Sequence, residues 1–238
     1  MCRMLGFISR APKPIYPYLG EAPRSLRWLS LHGQKAPHRD GFGLAYKDVT
    51  GQMKLLKAGR EKLSQFEAER LSRISDLKTT LLLAHARQAS AAYRQMAEAT
   101  ETHPLCADGI YLAHNGTIHD AGKLSTVPGT DSQKLLDWLV HNWQPRNYSG
   151  LQEALRKLLK LIKDYTAINL LITDGDHLYV FCCYRQEPEY YTLHYRLDED
   201  FVMVASETLD DEELWHQLNS GMLLHVTPRL THRLVRVV

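Results

Sequence analysis

Strand-like apolar runs crowd both ends of this chain and helical patterns fill its middle, an order that no repeating strand–helix–strand unit produces. Met4 to Ser9 reads as a short strand, followed by a loop punctuated by Pro12, Pro14 and Pro17. Arg24 to Leu31 reads as a short helix. Gly43 to Asp48 and Met53 to Ala58 flank Val49-Thr50-Gly51-Gln52, a hairpin turn. Ser64 to Ile74 places Phe66, Leu71 and Ile74 at helical intervals. Thr80 to Ala84 and Ile110 to Ala113 are apolar enough to be strands. Two helices follow, Asp131 to His141 with Thr130 as its cap, and Leu151 to Ile162 with a leucine face. Strands return at Ala167–Thr173 and His177–Tyr184, joined by the turn Asp174-Gly175-Asp176, and at Tyr190–Arg196, Phe201–Ala205, Met222–Thr227 and Leu234–Val238. Asp211 to Leu218 reads as a short helix between them. The expected class is α+β, with mainly antiparallel sheets covered by helices.

At 238 residues, without a linker, a low-complexity tract or an evident repeat, the simplest expectation is one domain spanning residues 2–238. A net charge of +2 gives no electrostatic case for nucleic acid or an anionic membrane as partner. No apolar run reaches the roughly 18–20 residues of a membrane span, the N-terminal apolar stretch is too short for a signal peptide, and position 2 is not glycine. Cys2, Cys106, Cys182 and Cys183 form no C-x-x-C pair, and adjacent Cys182 and Cys183 would face opposite sides of a strand. Reduced thiols and a cytoplasmic location fit this usage. Gly41-Phe42-Gly43 lacks a third glycine and opens a strand, so it is no dinucleotide fingerprint. His103, Cys106, His114 and His119 lack the paired spacing of a zinc site, and no metal or cofactor is expected.

Cys2 carries the chemical interest. Removal of Met1 would leave a thiol and a free α-amine on one residue, a nucleophile with its own base, because a terminal amine titrates at about 7.7–8.0. Three more motifs fall at strand ends or helix starts: His85-Ala86-Arg87-Gln88-Ala89-Ser90, His114-Asn115-Gly116-Thr117-Ile118 and Gly129-Thr130-Asp131-Ser132. Taken alone, Asn115-Gly116 also reads as a type I′ turn, Arg87 as a salt-bridging surface residue and Asp131 as a helix N-terminal charge. Together with Met1-Cys2-Arg3, in this order and spacing, the four motifs resemble the class II glutamine amidotransferases, an N-terminal-nucleophile hydrolase family. The resemblance covers essentially the whole chain.

The resemblance implies a four-layer αββα sandwich and cleavage of a γ-amide through a γ-glutamyl thioester on Cys2. Asn115 and Gly116 would hold the oxyanion, Arg87 would bind the α-carboxylate and Asp131 the α-amine of a small-molecule substrate. Ser90, where the family often has threonine, would add a hydroxyl contact, and His103-Pro104 would shape the site. Gln88-Ala89-Ser90 and Gln133 depart from frequent family residues and bear on pocket shape. The Cys2-Arg3 start is similar to the stand-alone group that hydrolyses γ-glutamyl amides, and the chain leaves no room for an ammonia-accepting domain of its own. Two other expectations remain open: a glutaminase subunit delivering ammonia to a separate synthase subunit, and a non-catalytic glutamine-binding regulatory protein. A homodimer is also compatible with the sequence.

Overall fold

A period-two alternation in which both strand faces are apolar dictates the architecture, since such strands must be covered on both sides. The computed structural model describes residues 2–21, 23–59, 74–96 and 98–238. Its strands are β1 (Arg3–Pro14), β2 (Gly41–Lys47), β3 (Met53–Ala58), β4 (Lys78–Arg87), β5 (Leu105–Ala107), β6 (Ile110–Asn115), β7 (Asn169–Thr173), β8 (Leu178–Cys182), β9 (Leu193–Leu197), β10 (Phe201–Ala205), β11 (Trp215–Leu218), β12 (Met222–Val226) and β13 (His232–Arg236). The α-helices are α1 (Leu26–His32), α2 (Asp131–Asn142), α3 (Tyr148–Leu161) and the single turn α4 (Pro188–Tyr191).

Seven strands form one sheet in the order β11-β9-β10-β1-β4-β2-β3, and six form a second in the order β13-β12-β8-β7-β6-β5. Every pairing between them is antiparallel. Three apolar clusters lie between four layers. Leu5, Phe7, Leu82 and Ala84 face outward from the first sheet onto Leu26 and Leu29 of α1. Their neighbours Met4, Ile8, Leu81 and Leu83 face inward, against Leu171, Val180 and Leu224 of the second sheet. Leu170, Ile172 and Phe181 then face the other way, onto Leu135 and Leu139 of α2 and Leu151, Leu155 and Leu158 of α3. The expected α+β sandwich is therefore the observed one. Cys182 joins the inter-sheet cluster and Cys183 the helix-facing one, as their adjacency requires.

Several local expectations need correction. β1 runs through Pro12 to Pro14, because its pairing with β10 ends at Ser9 and a register irregularity between Ile8 and Lys13 lets the prolines pass with only β4 beside them. Asp211 to Leu218 is not a helix. Asp210 takes the Trp215 indole N–H at 2.8 Å and β11 pairs with β9, so edge pairing overrides the acidic helix-start signal. Tyr190 and Tyr191 belong to α4, whose first residue is Pro188, and the strand begins only at Leu193. Leu105–Ala107 forms a short strand that the sequence pattern did not indicate. The expected helix at Ser64–Ile74 falls almost wholly outside the described residues. Among the described residues, no helix is long and apolar enough to cross a membrane.

The inter-sheet layer is built from buried apolar side chains of both sheets, so truncation there is predicted to be costly. Leu171→Ala, at a fully buried position, is expected to lower unfolding stability by about 2–5 kcal/mol in urea titrations. A loss below about 1 kcal/mol would mean the sheets close over the cavity.

Candidate active site

The four motifs converge because strand register carries them to one end of the sandwich. β1 pairs with β4 so that Arg3 opposes Ala86 and Met4 opposes His85. Cys2, at the start of β1, therefore lies beside Arg87, where β4 ends. β6 ends at Asn115 in the other sheet, with Asn115 opposite Asn169 of β7. One hydrogen bond joins the two sheet ends: the Cys2 main-chain nitrogen donates to Asn115 Oδ1 at 2.8 Å. The Cys2 sulfur sits 3.7 Å from the Gln88 carbonyl.

That bond fixes the orientation of the Asn115 amide. Its oxygen is spent on Cys2, and its Nδ2 is buried with no hydrogen-bond partner among the described residues. A buried amide donor without a partner costs about 1–3 kcal/mol, so its persistence beside a thiol points to an acceptor that arrives later. Gly116 follows with φ of 141°, and a Cβ there would run into the Ala167 carbonyl. No other residue type fits this position. The type I′ turn reading of Asn115-Gly116 is thus replaced by a strand end pressed against its neighbour.

The opposite wall comes from α2. Thr130 and Gln133 form a reciprocal capping box, the Thr130 hydroxyl accepting from Gln133 N at 3.3 Å and Gln133 Oε1 accepting from Thr130 N at 2.8 Å. Gln133, which looked like a departure from the family, therefore holds the helix start in place. Asp131 is buried in the first turn, and its Oδ2 accepts the Ile118 N–H at 2.8 Å. Arg87 is also buried, donating to the Met96 carbonyl at 2.7 Å. Asp40 fastens the loop after β4 by accepting the Ala89 N–H at 2.8 Å. Together these segments enclose a cleft with about 360 Å³ of empty space, part of it open to solvent, lined by Cys2, Arg87, Ser90, Gly116 and Asp131. Ser90 Oγ is buried there without a hydrogen-bond partner among the described residues. Every sequence-predicted site residue is accordingly at this cleft or, for Asn115, bonded to the cysteine that lines it.

Sequence reasoning missed the histidine layer beneath. His114 Nδ1 pairs with Ser132 Oγ at 2.8 Å, and His85 Nε2 with the His114 carbonyl at 3.2 Å. The His85 and His103 rings lie 4.4 Å apart. Burial pushes the His85 imidazole down to about 3 and that of His103 well below its ordinary value. Burial also lowers His114, against the opposing charge of Asp131. Rings that take protons only in strong acid are weak bases at neutral pH, so they serve as neutral spacers and hydrogen-bonding groups. Their signal in the sequence was the position of His85 and His114 two and one residues before Arg87 and Asn115.

A family model of the class-II glutamine amidotransferases matches residues 1–229. The chain belongs to this family. It is 24% identical over 200 residues to the Escherichia coli K12 protein named "Putative glutamine amidotransferase YafJ", covering 76% of this chain and 73% of that one. The class-II amidotransferase fold recurs in solved structures at low identity. The Silicibacter pomeroyi class-II domain protein superposes with a TM-score of 0.64 at 16% identity, covering 100% of both chains. The B. subtilis glutamine phosphoribosylpyrophosphate amidotransferase superposes with a TM-score of 0.68 at 21% identity, and there this chain spans 49% of the other's length.

The neutral histidines give this amidotransferase a pH-dependent stability. Burial holds His38 and His85 at about 3 in the fold, whereas their ordinary value is 6.5. The unfolded chain therefore binds more protons between those values. Stability is level above about pH 6.5 and falls as pH drops below it, by up to about 1.4 kcal/mol per pH unit for each group. Urea midpoints should fall between about pH 7.5 and pH 5. An unchanged midpoint would show that the folded protein protonates these rings.

Proposed function

We propose that this chain is an N-terminal-cysteine amidohydrolase that cleaves the γ-amide of glutamine or of a γ-glutamyl compound. The observation that carries the reading is the Asn115 amide, whose oxygen is held by Cys2 N while its Nδ2 stays buried without a partner among the described residues. In this reading Met1 is removed and residues 2–238 act as one domain. The thiol proton passes to the Cys2 α-amine, and the sulfur attacks the γ-carbonyl carbon. Asn115 Nδ2 and the Gly116 N–H receive the oxyanion. The C–N bond then breaks, the leaving amine takes the proton from the α-ammonium, and a γ-glutamyl thioester remains. Water, deprotonated by the same amine, attacks the thioester through a second oxyanion and releases glutamate and the free thiol.

Arg87 and Asp131 are assigned to the substrate's α-carboxylate and α-ammonium. Their burial in one cleft supports this pairing of opposite charges at fixed separation. Ser90 Oγ, buried without a partner among the described residues, is assigned a contact to the same substrate. The low proton affinity of His85 and His103 leaves the α-amine as the better-matched base near neutral pH. No cofactor enters the scheme. Four free cysteines fit a reducing, cytoplasmic compartment. A second reading, delivery of the ammonia to an acceptor on another polypeptide, draws support from the fold shared with a phosphoribosylpyrophosphate amidotransferase of twice the length.

Glutamate release from glutamine, glutathione and other γ-glutamyl amides, measured alongside the mass of the mature N-terminus, tests the proposal. Cys2→Ala should remove turnover and leave the fold intact. Asn115→Asp keeps an oxygen for Cys2 N but loses the donor, so kcat should drop by about 10²–10³-fold with a smaller change in KM. Full activity in protein that retains Met1, or in the Cys2→Ala variant, would overturn the assignment. Tight glutamine binding without turnover by the processed protein would favour a regulatory binding role instead.

A further inference from the structure

The cleft has one wall that none of the four motifs accounts for. After Ser90 the chain makes a 3₁₀ turn, Ala91–Tyr93, closed by the Tyr93 N–H on the Ser90 carbonyl at 3.0 Å. The Met96 N–H then bonds the Tyr93 carbonyl at 2.9 Å, and the Met96 carbonyl accepts from Arg87 Nη1 at 2.7 Å. This flap is therefore tied to the buried arginine at its far end. At its near end the Tyr93 side chain lines the cleft together with Asp131, and its hydroxyl is directed at the main-chain N–H of that residue. Burial and the Asp131 charge raise the phenol, so it remains a neutral hydroxyl with lone pairs to offer.

An α-ammonium group brings three N–H donors into this corner. Asp131 already gives Oδ2 to Ile118, so one of its carboxylate acceptor sites is taken before the ammonium arrives. The Tyr93 oxygen is a further acceptor on the same cleft lining, beside Asp131. We propose that Tyr93 is the specificity-determining residue of the cleft, restricting it to γ-glutamyl compounds whose α-amine is free and excluding those acylated on that nitrogen. The inference rests on the amidohydrolase reading above and deepens it. An Nα-acyl group removes the charge that Asp131 attracts and places its carbonyl and methyl against the Tyr93 ring.

The test compares glutamine with Nα-acetylglutamine in wild-type protein, Tyr93→Phe and Tyr93→Ala. Wild type should prefer glutamine strongly in kcat/KM. Tyr93→Ala should narrow that preference by about tenfold or more, whereas a purely structural lesion would depress both substrates in parallel. Tyr93→Phe should raise KM for glutamine several-fold and leave kcat unchanged, since it removes an acceptor and keeps the wall. Tyr93→Leu, compared by thermal melting, covers the case in which the alanine variant fails to fold. The same ratio read by titration calorimetry in a Cys2→Ala background separates the two hypotheses. Absent turnover in the processed wild-type protein, with the binding preference intact in the Cys2→Ala background, sinks the amidohydrolase reading alone. A preference unchanged within about twofold in Tyr93→Ala and Tyr93→Leu, or wild-type acceptance of Nα-acetylglutamine on a par with glutamine, overturns the role of Tyr93.

Discussion

The hydrogen bond from Cys2 N to Asn115 Oδ1 is the constraint on which the site depends, because, with the contact of His85 Nε2 to the His114 carbonyl, it is a polar link between two sheets that pack mainly through apolar side chains. Hydrophobic layers set a spacing but not an angular register, since their attraction is not directional. Buried polar contacts at the end of β6, from Cys2 N to Asn115 and from His85 to the His114 carbonyl, supply that register. The bond from Cys2 N also decides which way the Asn115 amide points, and so which of its two ends is left without a partner among the described residues. A swap of amide oxygen and nitrogen would set two donors against each other at Cys2.

Around this bond the structure removes alternatives. Gly116 is pressed so closely onto Ala167 that the strand end cannot shift without breaking the β6–β7 approach. Asn169, opposite Asn115, accepts the Cys183 N–H through Oδ1 at 3.0 Å, which anchors the neighbouring strand. On the other side of Cys2, Arg3 is wholly buried, paired with Glu207 and stacked over Tyr190 at 4.6 Å. A buried ion pair is weak evidence for stability, but it penalises any arrangement that separates the partners. Ser206 takes the Met4 N–H at 2.9 Å next door. Cys2, Arg3 and Met4 are thereby held on both faces.

The layering was legible in the sequence wherever a strand was long and apolar on both faces. Leu81 to Ala84 and Leu170 to Ile172 each send alternate residues into two different cores, and their composition alone excludes an exposed face. The hairpin at Asp174-Gly175-Asp176 was equally legible, with Gly175 at a φ of 98°. Legibility failed where tertiary pairing competes with a local preference. Glu212 and Glu213 suggested a helix start, yet Asp210 and Glu212 are drawn to Arg196 and Trp215, and the segment joins the sheet as its edge strand. Tyr190 and Tyr191 looked like alternating strand residues, yet Pro188 and burial of both rings favour a helical turn.

By itself the sequence determined the chemical inventory: a thiol beside the terminus, an Asn-Gly pair, one arginine and one capped aspartate, each at the edge of a segment whose periodicity was plain. Those choices are local, so neighbouring residues suffice to reveal them. Tertiary structure alone decided that the four segments meet at one end of the sandwich, that Asn115 turns its oxygen to Cys2 and leaves its nitrogen buried without a partner among the described residues, and that His85, His103 and His114 lie buried with lowered proton affinity. The physical reason is that register, amide orientation and burial are set by contacts between distant residues, 113 positions apart for Cys2 and Asn115 and 202 for Met4 and Ser206. No window of sequence contains both partners.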